Sequence, residues 1–204
     1  MKKAMSGHGG VVAALVLALS CNDPHDRVVL TDAGLHEFQS LDGSRVLLED
    51  VMGTSATLFL TLDPDCPMTQ GYVPLFDSLQ HVLPTGVRMV GFYPAPFIAA
   101  DSARRFAQAH NLHFAQLMDA ECRLANALRA RVTPEAFLVG TDGTVLYRGA
   151  IDDSAVREGR KRVASKHFLI DALAAVGGDA SQPVSAVAAV GCIVECDEQH
   201  DAGQ

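Results

Sequence analysis

The stretch that decides the fold runs from Thr57 to Tyr72 and reads TLFLTLDPDCPMTQGY. Its first half is apolar and rich in β-formers, which predicts a buried strand. A turn at Asp63-Pro64-Asp65 ends the strand, and Cys66 is followed by Pro67, which is favoured in the first turn of a helix because its missing N–H is not needed there. Cys66 is therefore predicted at the N-terminus of a helix, where unpaired backbone N–H groups and the helix dipole favour the reactive thiolate. The alternative is a small buried residue that only happens to begin a helix.

Length and composition indicate one globular domain with tails. The chain has 204 residues, of which 49% are hydrophobic and 20% are charged. These values are typical of a domain with a sizeable core. The formal net charge of -8 argues against a nucleic-acid partner.

The N-terminus resembles an export signal. Two lysines precede the apolar run Val11–Leu19, which has signal-peptide length and is too short for a permanent membrane-spanning helix. The run leads into Leu17-Ala18-Leu19-Ser20-Cys21, which resembles a bacterial lipoprotein signal with Cys21 as the lipidated first residue. Such signals more often carry leucine at the place of Ala18. Ordinary cleavage after Ser20 and a genuine N-terminal helix are the competing interpretations.

The chain is accordingly divided into four parts. These are a lipoprotein-like signal peptide at 1–20, a tether at 21–27, the domain at 28–176 and a C-terminal tail at 177–204. Export would place the protein in an extracytoplasmic, oxidising space, anchored to a bacterial membrane through lipid alone. Four thiols would then remain, and they allow three pairings among which the sequence does not choose: Cys66, Cys122, Cys192 and Cys196.

Strands and helices alternate along the domain. The predicted elements are short strands in 28–50 with a turn at 42–43, a strand at 54–62, a helix at 67–83, a strand at 87–93, a helix at 101–110 capped by Asp101, a strand at 114–118, a helix at 120–129 containing Cys122, a hairpin of strands 132–140 and 144–149, a loop at 151–162 and a helix at 165–176. The tail shows no clear element. Alternation predicts parallel strands and the hairpin adds antiparallel ones, so we expect an α/β fold with a mixed central sheet and helices on both faces.

That order, with Cys66 after the first central strand and Thr133-Pro134 before the hairpin, resembles the thioredoxin fold over residues 28–176. Three motifs are similar to the redoxin subgroup of the alkyl hydroperoxide reductase/thiol-specific antioxidant superfamily: Asp65-Cys66-Pro67, Val132-Thr133-Pro134-Glu135-Ala136-Phe137 and Tyr147-Arg148-Gly149-Ala150-Ile151-Asp152-Asp153. The resemblance implies a thiol–disulfide oxidoreductase without a cofactor, whose partners are protein or small-molecule thiols and disulfides. It also implies that Pro134 is a cis-proline facing Cys66, with Thr133 beside it. An ordinary trans proline that begins an edge strand is the alternative.

The chain departs from two patterns of its relatives. A thioredoxin has a second cysteine where this chain has Thr69, so the usual dithiol cycle cannot run within the motif. A peroxiredoxin has proline and threonine where this chain has Phe59 and Asp63. The missing threonine hydroxyl makes hydrogen peroxide a poor expected substrate, and a peroxiredoxin-like antioxidant remains an alternative.

The thiol that resolves a mixed disulfide at Cys66 must therefore come from elsewhere in the chain or from another molecule, because the hydroxyl of Thr69 cannot attack a disulfide. Cys122 is predicted to be helical and buried. Cys192 follows an apolar stretch that could dock on the domain, and Gly191 would allow the backbone to approach closely. Cys192 is the predicted partner, and its bonding to Cys196 is the competing pairing.

A metal site is the other hypothesis. Cys192, Cys196 and His200 are spaced by four residues and would share one face of a helix. Sulfur and imidazole suit copper or zinc, and Met68 could add a thioether. This resembles, loosely, the thioredoxin-like copper-delivery proteins, although their cysteine pair lies at the active position of the fold. A solvated histidine in the tail is the alternative for His200.

Four further polar residues lie near these motifs. Asp63, together with Asp65, is expected to serve the turn before Cys66. Glu135 is expected to point either toward Cys66 or into solvent. Arg148 is expected to pair with Asp152 or Asp153 rather than to offset a thiolate.

Overall fold

The computed structural model describes residues 35–157, 160–176 and 187–196. The predicted signal peptide, the tether with Cys21, and His200 lie outside these residues. Within the described ranges, no helix has the length and apolar character needed to span a bilayer.

A seven-stranded mixed sheet forms the centre of the molecule. The elements are β1 Glu37–Ser40, β2 Arg45–Leu47, α1 Leu48–Val51, β3 Ala56–Thr61, α2 Pro67–Leu79, β4 Val87–Pro94, α3 Ala100–Ala109, β5 Ala115–Asp119, α4 Arg123–Leu128, β6 Val132–Thr133, β7 Ala136–Gly140, β8 Val145–Gly149, β9 Ala155–Arg157, β10 Arg160–Lys161, α5 Phe168–Ala175 and β11 Cys192–Ile193. The strand order is β2-β1-β5-β4-β3-β7-β8. Strands β3, β4 and β5 are parallel, and β7, β8, β1 and β2 pair antiparallel. The predicted mixed sheet is confirmed.

Helices cover both faces because the buried side chains of each strand alternate. In β3, Leu58 and Leu60 pack in the cluster that contains α2, α3 and α5, whereas Phe59 packs in the cluster that contains α1 and α4. All six residues of β3 are buried. A strand that is buried on both faces reads as a continuous apolar run, which is why its position was predictable.

Helix α2 begins where expected and ends early. Pro67 occupies its first turn and Cys66 is its N-cap residue. The helix was predicted to reach residue 83 but ends at Leu79, because the chain tightens there into bonds between residues three apart, such as the Val82 N–H to the Leu79 carbonyl at 3.0 Å.

The expectations for α3 and α4 need correction. Ala99, not Asp101, is the N-cap residue of α3, and Asp101 instead pairs with Arg104 at 2.6 Å. Cys122 does not lie inside α4 but precedes it with a left-handed φ of 55°. The reason is Asp119, whose carboxylate accepts the N–H groups of the first residues of α4 and so fixes where that helix begins.

Four segments differ from the prediction, which for residues 48–50 was the end of the short strands in 28–50. Residues 48–51 form the short helix α1, and part of the predicted loop at 151–162 forms the ribbon β9–β10. The tail contains β11, which pairs antiparallel with β6. The last helix begins at Phe168 instead of residue 165. A two-residue strand carries no periodicity, so β11 has no signature in the sequence.

Candidate redox site

Cys66 lies at the junction of β3 and α2, where it is 1% exposed. The turn before it is held by Asp63, whose carboxylate accepts the Asp65 N–H at 2.9 Å and whose carbonyl accepts the Cys66 N–H at 3.2 Å. Burial raises the pKa of the Asp63 carboxyl. These two hydrogen bonds give Asp63 the turn role that the sequence predicted.

The loop that faces Cys66 carries a cis peptide bond between Thr133 and Pro134. The Thr133 carbonyl oxygen lies 3.2 Å from the Cys66 sulfur. In the reduced protein this carbonyl would be an acceptor within reach of the Cys66 thiol.

Cys66 is bonded to Cys192 in a disulfide with a Cα–Cα distance of 6.0 Å. In the β11–β6 pairing Cys192 lies opposite Thr133, and the N–H of Val194 donates to the Arg131 carbonyl at 3.0 Å. The structure thus brings together Cys66, Thr133, Pro134 and Cys192. Cys192 is half-buried, in contrast to the almost completely buried Cys66.

A second disulfide joins Cys122 to Cys196, with a Cα–Cα distance of 5.8 Å. Of the pairings that the sequence leaves open, these two are present, and the competing Cys192–Cys196 bond is not. Cys122 is 4% exposed, as expected of a core cysteine, but it is also cross-linked.

The helix on which the metal hypothesis depended is not present. Cys192 lies in a strand, and Cys192 and Cys196 belong to different disulfides, so neither sulfur can bind a metal in this state. Met68, which the sequence offered as a thioether ligand, is buried, with 1% of its surface exposed. In the described part of the chain, no group of three or more histidine, cysteine, aspartate or glutamate residues is arranged to hold a metal ion.

Thr61 and Glu135 hold the cis-proline loop in place, and sequence reasoning missed this role. The Thr61 hydroxyl donates to the Val132 carbonyl at 2.7 Å and accepts the Glu135 N–H at 2.6 Å. The Glu135 carboxylate is 1% exposed and accepts the Arg131 N–H at 2.9 Å. Glu135 thus closes the loop on itself instead of pointing into solvent. A threonine at the end of an otherwise apolar strand was the available signal.

The remaining polar residues have other partners. The Arg148 guanidinium lies 6.0 Å from the centre of the Phe137 ring. Asp152 accepts the Tyr72 hydroxyl at 2.6 Å, and Asp153 pairs with Arg162 at 2.9 Å. The Tyr72–Asp152 hydrogen bond joins α2 to the segment after β8.

Thr69, three residues after Cys66, is completely buried. Its hydroxyl has no hydrogen-bond partner among the residues that the structure describes. The position therefore supplies neither a thiol nor a hydroxyl that is accessible to solvent.

Comparisons with known proteins agree with this fold. No family model matches the chain, and no curated protein matches it. A conserved protein of Geobacillus kaustophilus superimposes over 79% of this chain and 88% of its own, with 24% identity and a TM-score of 0.67. A hypothetical protein of Sinorhizobium meliloti does so over 79% and 91%, with 20% identity and a TM-score of 0.63. A secreted disulfide oxidoreductase of Mycobacterium tuberculosis matches 56% of this chain and 83% of its own, with 21% identity and a TM-score of 0.48.

At such identities a structural likeness establishes the fold and not the activity. The parallel β3–β4–β5 core, the antiparallel hairpin β7–β8 and the cysteine at the start of α2 define a thioredoxin-like α/β protein. The resemblance found in the sequence is confirmed at this level.

Proposed function

We propose that this protein is an exported thiol–disulfide oxidoreductase in which Cys66 and Cys192 form the redox couple. The observation that carries the proposal is their disulfide at the N-terminus of α2, beside the cis Thr133–Pro134 bond. Its substrates are thiols and disulfides of proteins or small molecules, and it needs no cofactor.

In the oxidised protein, a substrate thiolate attacks one sulfur of the Cys66–Cys192 bond. Cys192 is the more exposed of the two cysteines, so the mixed disulfide forms there and Cys66 leaves as a thiolate. A thiolate at a helix N-terminus is stabilised and leaves readily. A second substrate thiolate then attacks the mixed disulfide, which releases an oxidised substrate and leaves both protein thiols reduced.

Reduction of a substrate disulfide follows a second route, through a mixed disulfide at Cys66, and has the roles expected from the sequence. In the reduced protein, the Cys66 thiolate attacks a substrate disulfide and expels one substrate thiolate. Cys192 then attacks the mixed disulfide at Cys66 and expels the second, which restores the Cys66–Cys192 bond. Two electrons pass from the protein to the substrate in each cycle.

The experiment compares matched cysteine variants of the chain from Cys21 onward, with Cys21→Ser to avoid lipidation. Reduction of insulin disulfides and oxidation of a dithiol peptide are measured. Cys66→Ser should abolish both reactions, and Cys192→Ser should accumulate a mixed disulfide at Cys66 with slowed turnover. The comparison variant Cys122→Ala/Cys196→Ala keeps both cysteines of the couple and should still form and resolve the mixed disulfide at Cys66, whatever its rate. Full turnover by Cys66→Ser would refute the proposal.

Export and lipid attachment at Cys21 are part of the proposal, and they are supported by the basic, apolar and Ala-Leu-Ser-Cys progression alone. Cells that produce the full chain should incorporate radiolabelled palmitate into it, and Cys21→Ala should abolish the label. Absence of label in the parent chain, with the protein outside the cytoplasm, would replace lipid anchoring by simple secretion.

Hydrogen peroxide is proposed to be a poor substrate. Phe59, at the place of the peroxiredoxin proline, is completely buried in β3, and the Asp63 carboxylate holds the turn N–H of Asp65. Peroxide loss in the presence of dithiothreitol should be far slower than with a working peroxiredoxin in the same assay. Equal rates would favour the antioxidant alternative.

A further inference from the structure

Two disulfides attach one short segment to two separate places in the domain. Cys192 is bonded to Cys66 at the start of α2, and Cys196 is bonded to Cys122 just before α4. Only residues 193–195 separate the two attachment points in the sequence. Breaking the first disulfide therefore leaves Cys192 held near Cys66 through the second.

We propose that the Cys122–Cys196 disulfide is a tether that positions Cys192 for reaction with Cys66 and thereby sets how easily the Cys66–Cys192 bond is reduced. This inference rests on the proposed function of that couple. Cys122 and Cys196 act through Cys192 and are positioning residues, without contact to substrate.

The tether must stay closed while the active couple opens, and the two helix N-termini differ in the way this requires. The first turn of α2 contains no acidic residue, and the Asp63 carboxylate of the preceding turn accepts the Asp65 N–H, which lies outside the helix. At α4 the Asp119 carboxylate already accepts the N–H groups of Leu124 and Ala125, at 3.2 and 2.8 Å. A Cys122 thiolate would therefore gain little from that helix, and Cys122 is the poorer leaving group.

Packing protects the tether as well. Cys122 is buried in the apolar cluster between the sheet and α4, and Cys196 packs against the same cluster. The Cys122 N–H donates to the Asp119 carbonyl at 2.9 Å, which fixes the turn that presents its side chain. Burial in apolar surroundings disfavours the thiolate that reduction would have to release.

The strength of the effect follows from the length of free chain. Without the tether, Cys192 is linked covalently to the domain through residues 177–191, which are fifteen residues beyond α5 and Val176. With it, the link is the three residues 193–195. Effective concentration falls roughly as the 3/2 power of loop length, so loss of the tether should lower it about tenfold. Noncovalent contacts of the segment, such as the Ala150 N–H to the Val187 carbonyl at 2.8 Å, are common to both cases.

The reaction measured is the exchange of the protein with glutathione. Two glutathione thiols reduce the Cys66–Cys192 bond, and they become one glutathione disulfide while the two protein thiols gain the protons. Alkylation at equilibrium, followed by peptide mass spectrometry, gives the oxidised fraction of each cysteine pair separately. This readout does not depend on any substrate turnover.

In Cys122→Ala/Cys196→Ala the equilibrium constant for reduction should rise about tenfold, which corresponds to a potential about 30 mV less negative. The rate at which Cys192 resolves a mixed disulfide at Cys66 should fall in parallel. A change of less than twofold in the equilibrium constant would overturn the proposal that this disulfide is a tether.

A matched pair of insertions keeps both disulfides and avoids loss of the fold. Six Gly/Ser residues between Glu195 and Cys196 lengthen the tether from three residues to nine, so reduction should become about fivefold easier. The same six residues between Gly177 and Gly178 lengthen the other link from fifteen to twenty-one, which predicts a change of less than twofold. Equal effects of the two insertions would overturn the proposal.

The two proposals can fail independently. If Cys66→Ser keeps turnover, the proposed function fails, while the glutathione equilibrium still measures the tether. If Cys66 is essential but neither the double variant nor the Glu195 insertion shifts the equilibrium, the tether alone fails.

Discussion

Asp119 is a carboxylate that the fold places almost out of contact with water. It is 1% exposed, and burial raises its pKa to about 6 against the partial compensation of backbone N–H groups, two of which belong to Leu124 and Ala125. Its position matters for the redox site because it fixes the turn at Cys122. The same carboxylate thus caps α4 and adds a dependence on pH.

Replacing this group predicts a change in how stability depends on pH. A carboxyl whose pKa is higher in the folded than in the unfolded chain favours folding most when it is protonated, so this contribution is present below pH 4 and is lost as pH rises through 6. The loss is on the order of 2–3 kcal/mol. In Asp119→Asn the free energy of unfolding should therefore fall less between pH 4 and pH 7 than in the parent. Urea unfolding under oxidising conditions measures both curves, and parallel curves would contradict the assignment.

Some residue roles could be read from the sequence and others could not. The place of Cys66 followed from a strand, a turn and a proline that are adjacent in the chain. The left-handed turn at Cys122 could not be predicted. The apolar spacing of residues 120–129 fits a helix that includes Cys122, and only the contacts of the Asp119 carboxylate with Leu124 and Ala125 show that the helix begins later. The role of Glu135 depends on Thr61, which is far away in the sequence.

At the scale of elements, the contact that closes the site is the pairing of β11 with β6. The two backbones approach each other so closely beside this pairing that a Cβ built on Gly191 would lie 2.2 Å from the Thr133 carbonyl oxygen. Only glycine fits there without movement of one strand. Ile193, one residue beyond Cys192, is 78% exposed and makes no comparable demand.

Gly191→Ala should displace β11 and weaken the Cys66–Cys192 bond. Relief of this contact costs about 1 kcal/mol or more, which makes reduction by glutathione roughly fivefold easier or more. The control Ile193→Ala, in the same strand, should change the equilibrium by less than twofold. If both variants resemble the parent, the close approach does not position the strand.

The elements of the central sheet were predictable because buried parallel strands give long apolar runs, as in β3 and β4. Element ends were less predictable, since α2 and α4 end or begin where a side chain or a tight turn competes with the helix. Docking near Cys192 and a close backbone approach at Gly191 were predicted, but the strand β11 was not. Its two residues are held by a partner strand and a disulfide, and neither leaves a local pattern.

At the scale of the whole molecule, the two disulfides link the last described segment to both sides of the sheet. The active couple lies where α2 begins, and α2 packs on one apolar cluster, whereas Cys122 belongs to the other. The fold class followed from the order of elements. The Cys66–Cys192 pairing was predicted, because Thr69 leaves Cys66 without a local partner thiol. The Cys122–Cys196 pairing was not, because its cysteines are 74 residues apart and four thiols can pair in more than one way.

Removal of each disulfide should therefore cost nearly the same stability. If the bonds act by constraining the unfolded chain, each contributes on the order of 4–5 kcal/mol, and the separations of 126 and 74 residues differ by only about 0.5 kcal/mol in this term. Cys66→Ala/Cys192→Ala and Cys122→Ala/Cys196→Ala are the matched variants, and urea unfolding under oxidising conditions is the measurement. A difference above about 1.5 kcal/mol would mean that native contacts around one bond, and not chain entropy, dominate its effect. Reduced parent protein should unfold like the variant that lacks all four cysteines, because both then lack the same two constraints.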